Sequence, residues 1–412
     1  MPSIISSSWL TPPSATLTDP TWTRTSSLNH FWPVLILTEA ISLYSEALVD
    51  LSSQDIIVTI PEVPSGRFYV FPIYDMWVNY CALAAPPVVK SIFLRYGNNI
   101  VNIGTAGVSS NGSYLLTYRV AQPGYESGSS RDPYTGRIYL PTPYGAIDLR
   151  IQVNGSDSED VTKVNDLQKN FTLASGPGRP PRAPPLTASL LFENLSTNRT
   201  EKLLQLTARL SRFNLPEVGS DIAWVTSTLR VAGLSGGSYT TPSEVNLTLA
   251  MVDAVTDIAS VFGTQFDTYF RELGKDSSWF MLKYRYSGDF KSHYTARAFV
   301  AAQGYLQLKA NQAIYPVYKN PSGFTSDNSY TITFSGKPPV TGFWSLTVYN
   351  ETAYLIPNKW NIFSLGDRSA IEYPNGTLVY PGPTSGLSDN DGEFTILLQS
   401  LDIPPPNKYL SK

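Results

Sequence analysis

The run SGPGRPPRAPPL, Ser175 to Leu186, puts five prolines into twelve residues. Each proline fixes φ and removes a backbone donor, so neither a helix nor a central strand can pass through it. The chain is divided at this point, and the patterns on its two sides differ. From Ile41 to about Val153 short β-like runs alternate with turns: DIIVTI, RFYVFPIY, SIFLRY, SYLLTYRV, GRIYLPT and AIDLRIQV. The stretch DSEDVTKVNDLQKNF then changes to helical spacing, with Val161, Val164, Leu167 and Phe171 on one stripe.

Beyond the prolines, Asn198 to about Gly274 reads as helical. TEKLLQLTARLSRF sets Leu203, Leu204, Leu206 and Leu210 on a buried stripe, and a longer helix enters at Ser243-Glu244 and ends at Gly274. A further helix is expected within 289–310, around SHYTARAFVAAQGYLQL. Strands return from Tyr330 in SYTITFS, GFWSLTVYN, TLVYP and EFTILLQS. The expected fold is α+β, mainly β: two antiparallel β-sheet domains of sandwich or jelly-roll type, joined by a helical segment. Its parts are an extended lead-in over 1–28, an N-terminal β-rich domain over 29–174, the proline-rich linker over 175–197, the helical segment over 198–329 and a C-terminal β domain over 330–412.

Composition removes several kinds of function. Charged residues make up 15% of the 412, the net charge is −3, and no basic run is present, so a phosphate backbone has nothing to bind. FWPVLIL is far too short to span a membrane. With Cys81 alone and only His30 and His293, a zinc site of usual composition lacks ligands, and no intrachain disulfide can form. GLSGG, Gly233 to Gly237, is a poor nucleophile elbow because no apolar strand precedes it, and GLSGGS lacks the Lys-Ser/Thr of a phosphate loop. No metal and no cofactor is expected.

Eight sequons begin at Asn111, Asn154, Asn170, Asn194, Asn198, Asn246, Asn350 and Asn375, where chance gives about four. They point to a glycoprotein of the secretory route or the extracellular space. The start MPSIISSSWL has no basic or long apolar region, so a signal peptide is expected to be absent or already cut away.

What remains for chemistry is carboxylates, Tyr, Arg and aromatic surface. In RFYVFPIYDMWVNY, alternation puts Arg67, Tyr69, Phe71, Ile73, Asp75, Trp77 and Asn79 on one side of a strand. That mixture suits a pocket wall, with Tyr69, Phe71, Trp77 and Asn79 binding a ligand, and equally a buried polar network in which Asp75 is an anchor. An unpaired buried Asp costs several kcal/mol, so Asp75 must be partnered, protonated or wet. Tyr294 and Arg297, three apart, share a helix face and either hold a polar ligand group or clamp a neighbouring domain. Trp344 and Tyr349 are the corresponding aromatic candidates in GFWSLTVYN, while Asp367 and Arg368 are expected to tie backbone groups together. The catalytic candidates are Asp75, Tyr294 and Arg297.

These segments together resemble the tandem domains of unknown function 1254 and 1214. LYSEALVDLS with IIVTIPEVPSGRFYVFPIYDMWVN, then YLPTPYGAIDLRIQ with DVTKVNDLQKNFTL, look like the first; GDFKSHYTARAFVAAQGY, KPPVTGFWSLTVYN and NIFSLGDR look like the second. The resemblance implies β-sheet domains joined by helices and brings little biochemistry. The chain departs from the family at TEAIS, where Ile41 replaces a usual acid, and after PPPNKYLSK, where a closing strand is expected. Three classes of function follow. One is a cofactor-independent enzyme that shapes a hydrophobic small molecule, such as a cyclase, isomerase or pericyclase of secondary metabolism. The others are a secreted glycoprotein that binds such a ligand without turnover, and a structural glycoprotein. The sequence does not fix the oligomeric state.

Overall fold

The structure is a computed structural model. It describes residues 23–24, 42–77, 95–105, 111–118, 133–154, 158–275, 277–303, 306–319, 323–340, 342–349, 356, 358, 364–381, 392–400, 402–404 and 406. Among the described residues, nine strands build the N-terminal half: β1 (Thr23–Arg24), β2 (Ser42–Asp50), β3 (Gln54–Ile60), β4 (Tyr69–Trp77), β5 (Arg95–Gly104), β6 (Gly112–Tyr118), β7 (Gly136–Leu140), β8 (Tyr144–Gln152) and β9 (Thr172–Gly178). They form one sheet ordered β1-β2-β8-β4-β5 and another ordered β7-β6-β3-β9. Every pair is antiparallel except β6 with β7.

Alternation decides how the two sheets meet. Leu43, Phe71, Ile73, Ile147, Leu149 and Ile151 of the first sheet share a core with Ile56, Val58, Leu116 and Leu140 of the second. Helix α1 (Ser158–Gln168) closes this core through Val164, with Phe171 just after it, as the helical stripe requires. The fold class is α+β, mainly β.

The first sheet is covered on its other face too, so β8 is buried along nearly its whole length. Part of that cover comes from the proline-rich stretch, which is a docked strap and not a free tether. Its first residues extend β9, Arg179 and Arg182 donate backbone N–H groups to Ser53 and Ser52, and Leu186 is fully buried. Extended prolines leave their carbonyls and neighbouring donors free for such edge contacts. Helices α2 (Ala188–Phe192) and α3 (Arg199–Ser211) follow, and Leu206 and Leu210 pack with Leu186 and Tyr144.

Next come α4 (Ile222–Val231), α5 (Leu247–Ser260), the short α6 (Phe266–Tyr269) and α7 (Tyr294–Gln303). The GLSGG stretch is a hairpin turn. Gly236 and Gly237 have φ of +60° and +84° between strands Leu234–Ser235 and Ser238–Tyr239, the left-handed pair that a two-residue hairpin demands. The helix expected to run to Gly274 stops at Ser260. Past that point Phe266 stacks on Phe270, and Phe270–Glu272 pairs as a strand with Trp279–Leu282. Tertiary pairing of an aromatic run has overridden its helical spacing. α7 likewise occupies only part of 289–310.

The C-terminal half has antiparallel pairs Tyr330–Phe334 with Phe394–Leu398, and Ser345–Thr347 with Ser364–Gly366. Their core gathers Phe334, Trp344, Ile371, Val379 and Phe394. It meets the N-terminal half where Phe343 lies edge-on to Phe68, ring centres 5.5 Å apart. With the Gln152 amide oxygen turned towards it, Arg368 donates to the end of β8 at 3.0–3.1 Å. Among the described residues no helix is long and apolar enough to cross a membrane.

A candidate site at the Asn98 hub

Asp75 and Arg297 are 222 positions apart in the chain yet belong to one buried cluster, each 2% exposed. The local cause is an irregularity in β5. Between Val101 and Tyr96 this strand uses five steps where β4 uses three, from Ile73 to Met76. Two extra residues are bulged, and bulges re-aim side chains. Within GNNI, Asn99 stays paired with Tyr74, and Asn98 beside it is thereby turned out of regular pairing.

Asn98 then joins four segments. Its backbone N–H donates to Asp75 Oδ1 at 2.6 Å, and its Nδ2 donates to Asp75 Oδ2 at 3.1 Å and to Glu217 Oε2 at 3.0 Å. Its Oδ1 accepts from the Phe290 N–H at 2.9 Å and from Arg297 Nη2 at 3.0 Å. Glu217 is itself paired with Lys291 at 2.5 Å. Asn99 adds a backbone bond to the Gly288 carbonyl at 2.6 Å. Tyr294, one turn before Arg297 on α7, donates its hydroxyl to Asp221 Oδ2 at 2.8 Å and lies against the exposed Trp224 ring, 5.8 Å between centres.

Electrostatics make Asp75 unusual. Burial raises its pKa to about 6, against the pull of Arg297 and of the bonds from Asn98, with Glu217 pushing the same way as burial. Burial also lowers Arg297, opposed chiefly by Asp75, and raises Tyr294 to about 12. A carboxyl that changes charge near neutrality can take or give a proton under ordinary conditions.

The same shift predicts a pH effect on stability. Between the usual carboxylate range and pH 6 the folded chain holds a proton that the unfolded chain has released. Stability contributed by this group therefore falls as pH rises across that window, by about 3 kcal/mol in total. The gap in unfolding free energy between the native chain and Asp75→Asn should change from pH 4 to pH 7 by most of that amount, roughly 2 kcal/mol. A pH-independent difference would refute the shift.

Other sequence candidates lie elsewhere. Tyr69 and Phe71 are in the sandwich core, Phe71 stacked on Phe171, not on a pocket wall. Arg67 pairs with Asp160 at 2.6 Å, not with Asp75. The Trp77 side chain, Asn79, Cys81 and His30 lie outside the described residues. Trp344 donates its indole N–H to the Tyr380 hydroxyl at 2.8 Å within the C-terminal core. Burial raises Tyr349, beside Thr347. Asp367 accepts from the Trp344 N–H at 3.2 Å, a backbone tie. His293 sits edge-on to Tyr286. Of the sequons, Asn111, Asn170, Asn194, Asn198, Asn246 and Asn375 are exposed, Asn154 is half-buried, and Asn350 is outside the described residues. Asn98, Glu217 and Asp221 were not foreseen. The Gly-Asn-Asn inside a strand pattern is the one local signal that marks the bulge.

Two stretches match family profiles, each described as a protein of unknown function: DUF1254 over residues 39–175 and DUF1214 over residues 312–409. The chain is a tandem DUF1254–DUF1214 protein. The DUF1254 segment supplies Asp75 and Asn98. Glu217, Tyr294 and Arg297 come from the stretch between the two segments, so the hub joins the DUF1254 segment to the chain that follows it. Among solved structures, the chain is similar to the VPA0106 protein from Vibrio parahaemolyticus, at 15% identity and a TM-score of 0.49, over 87% of this chain and 77% of that one. No curated protein matches it.

Proposed function

We propose that this DUF1254–DUF1214 protein is a cofactor-independent enzyme that rearranges a hydrophobic small molecule, as a cyclase, isomerase or pericyclase of secondary metabolism does. Asp75 handles the proton. The observation that carries this reading is a buried carboxylate bonded to Asn98, which in turn accepts from a buried guanidinium; burial pushes that carboxyl up to about 6. Above pH 6 the carboxylate takes a proton from the substrate and returns it at another atom, so no oxidant or reductant is consumed. Arg297 stabilises the negative charge that develops meanwhile. Substrate reaches Asp75 by displacing Asn98 Nδ2 from Oδ2, the longer of the two bonds, while that amide keeps Glu217 as acceptor. Trp224 and Tyr294 mark the aromatic side of the approach.

A second reading has its own observation. The backbone N–H and both side-chain polar atoms of Asn98 are used within the protein, which suits a permanent interlock in a secreted glycoprotein that binds a hydrophobic ligand without turnover. The exposed sequons support the glycoprotein part of that reading.

Incubating the protein with a metabolite extract and following it by mass spectrometry separates the readings. A new product supports the enzyme; a compound retained unchanged supports the binder. If nothing is retained or converted, both fall.

A further inference from the structure

Inside the first sheet, polar side chains are used within the protein. Asp148 and Arg150 are two apart on β8 and share a face. Arg150 Nε donates to Asp148 Oδ2 at 2.6 Å, and its guanidinium is 5.4 Å from the centre of the Tyr44 ring. The Tyr74 hydroxyl and Arg150 Nη2 both donate to the Leu306 carbonyl, at 2.7 and 2.8 Å. Three exposed asparagines beyond this sheet are arranged differently. One half of each side-chain amide serves the fold, and the other half is left to the solvent.

Asn198 and Asn246 are the N-caps of α3 and α5, both in extended conformation. Asn198 Oδ1 accepts from the Thr200 and Glu201 N–H groups, each at 3.0 Å. Asn246 Oδ1 accepts from the Thr248 and Leu249 N–H groups, at 3.1 and 3.2 Å. Asn375 makes the same bond with no helix after it. Its Oδ1 accepts from the Thr377 N–H at 3.0 Å and the Thr377 hydroxyl at 2.7 Å, in a turn where Gly376 has φ +82°. An amide is planar, so an oxygen held against the backbone leaves Nδ2 pointing the other way. All three residues are exposed, and among the described residues none of these nitrogens has an acceptor. Each is the Asn of an Asn-X-Thr sequon. Asn170, though exposed, uses the other half of its amide, with Nδ2 donating to the Asp166 carbonyl at 3.4 Å. Asn154 is the strongest contrast. It is half-buried, its N–H is held by Asp160 Oδ2 at 2.7 Å, and its own Oδ1 is turned into the interior.

We propose that Asn198, Asn246 and Asn375 carry N-glycans on Nδ2 in the folded chain, and that Asn154 carries none. This assignment rests on the glycoprotein part of the second reading above. In the transfer, Nδ2 forms a bond to C1 of the first sugar of a lipid-pyrophosphate-linked oligosaccharide. The bond from C1 to the pyrophosphate oxygen breaks, that oxygen keeps the electron pair, and one Nδ2 proton is released. No oxidant or reductant enters. The product is still an amide, so Oδ1 goes on accepting from the same N–H groups and both helix caps survive. A glycan is bulky and needs open solvent, which the three exposed sites give it. At Asn154 the sugar would have to enter beside an amide already drawn into the fold.

The test takes the full chain from its native source and treats it with peptide N-glycosidase in heavy-oxygen water, which turns each glycosylated Asn into labelled Asp. Peptide mapping by mass spectrometry should find label at Asn198, Asn246 and Asn375 and none at Asn154. Thr200→Ala and Thr248→Ala, made in the same cells, keep the backbone N–H groups that the caps need, and each should lose a single glycan. Should a variant fail to fold, the map of the native chain decides alone. No label at any sequon removes the glycoprotein reading and the assignment with it. Label confined to sequons other than the three leaves the glycoprotein reading standing and overturns the assignment. Label at Asn154 overturns it as well.

Discussion

Asp75→Asn should abolish turnover on any compound that the native chain converts, with a loss of roughly 10²–10⁴-fold in kcat/KM, the usual contribution of a positioned acid or base. The variant should still fold. Its side-chain oxygen keeps the bond from the Asn98 N–H. Asn98 Nδ2 keeps Glu217, and the cost of holding a carboxylate away from water disappears. In the native chain kcat/KM should rise with pH through about 6 and then level, because the working form is the ionised one. Circular dichroism and a denaturation midpoint separate lost chemistry from lost fold. An Asp75→Asn protein that converts substrate at the native rate ends the catalytic reading and leaves the interlock.

Arg297→Met should be the more damaging change for stability. The guanidinium is buried, bonds to Asn98, and is the largest influence opposing the burial penalty on Asp75. Removing one partner from a buried charged group costs about 3–5 kcal/mol, because the other charge is left without compensation. Urea unfolding measures it, and a loss under about 1 kcal/mol would show that the cluster contributes little. With Arg297 gone, Asp75 should rise further, and any pH–rate inflection should move above 6. Arg297→Lys should restore charge without the planar fork and recover only part of the loss.

Much of this fold is legible from local pattern. The period of two in DIIVTI and RFYVFPIY, and the helical stripe through Val161, Val164 and Leu167, point at the faces that share the sandwich core. Tyr294 and Arg297 could be paired from their spacing alone. The alternation through Phe71 and Ile73 was sound geometry, but a face of one strand does not say whether a ligand or a second sheet lies over it. Here Phe171 does. The Asn98 hub was hidden for a different reason. A bulge is fixed by how two strands register, and its partners Glu217, Phe290 and Arg297 lie more than a hundred residues away. Asp148 and Arg150 sit in plain view in AIDLRIQ. Opposite charges two apart in an otherwise apolar strand are the mark of a buried pair on a doubly covered sheet. The proline-rich stretch misleads in the opposite direction, since low propensity for regular structure does not keep a chain off a sheet edge.

The grip of Tyr74 and Arg150 on Leu306 has a consequence for biogenesis. Every described strand of the sandwich, β1 to β9, is made once Gly178 is reached, but Leu306 follows about 130 residues later. At ribosomal speeds of about 5–20 residues per second, that is a wait of roughly 6–25 s. Through it, the face bearing Asp148, Arg150 and their tyrosines stays uncapped by that loop. During synthesis the nascent chain is thus a half-finished protein whose most polar interior is still wet. Holdase chaperones would find it there, and a pause between codons 178 and 306 would lengthen the exposure.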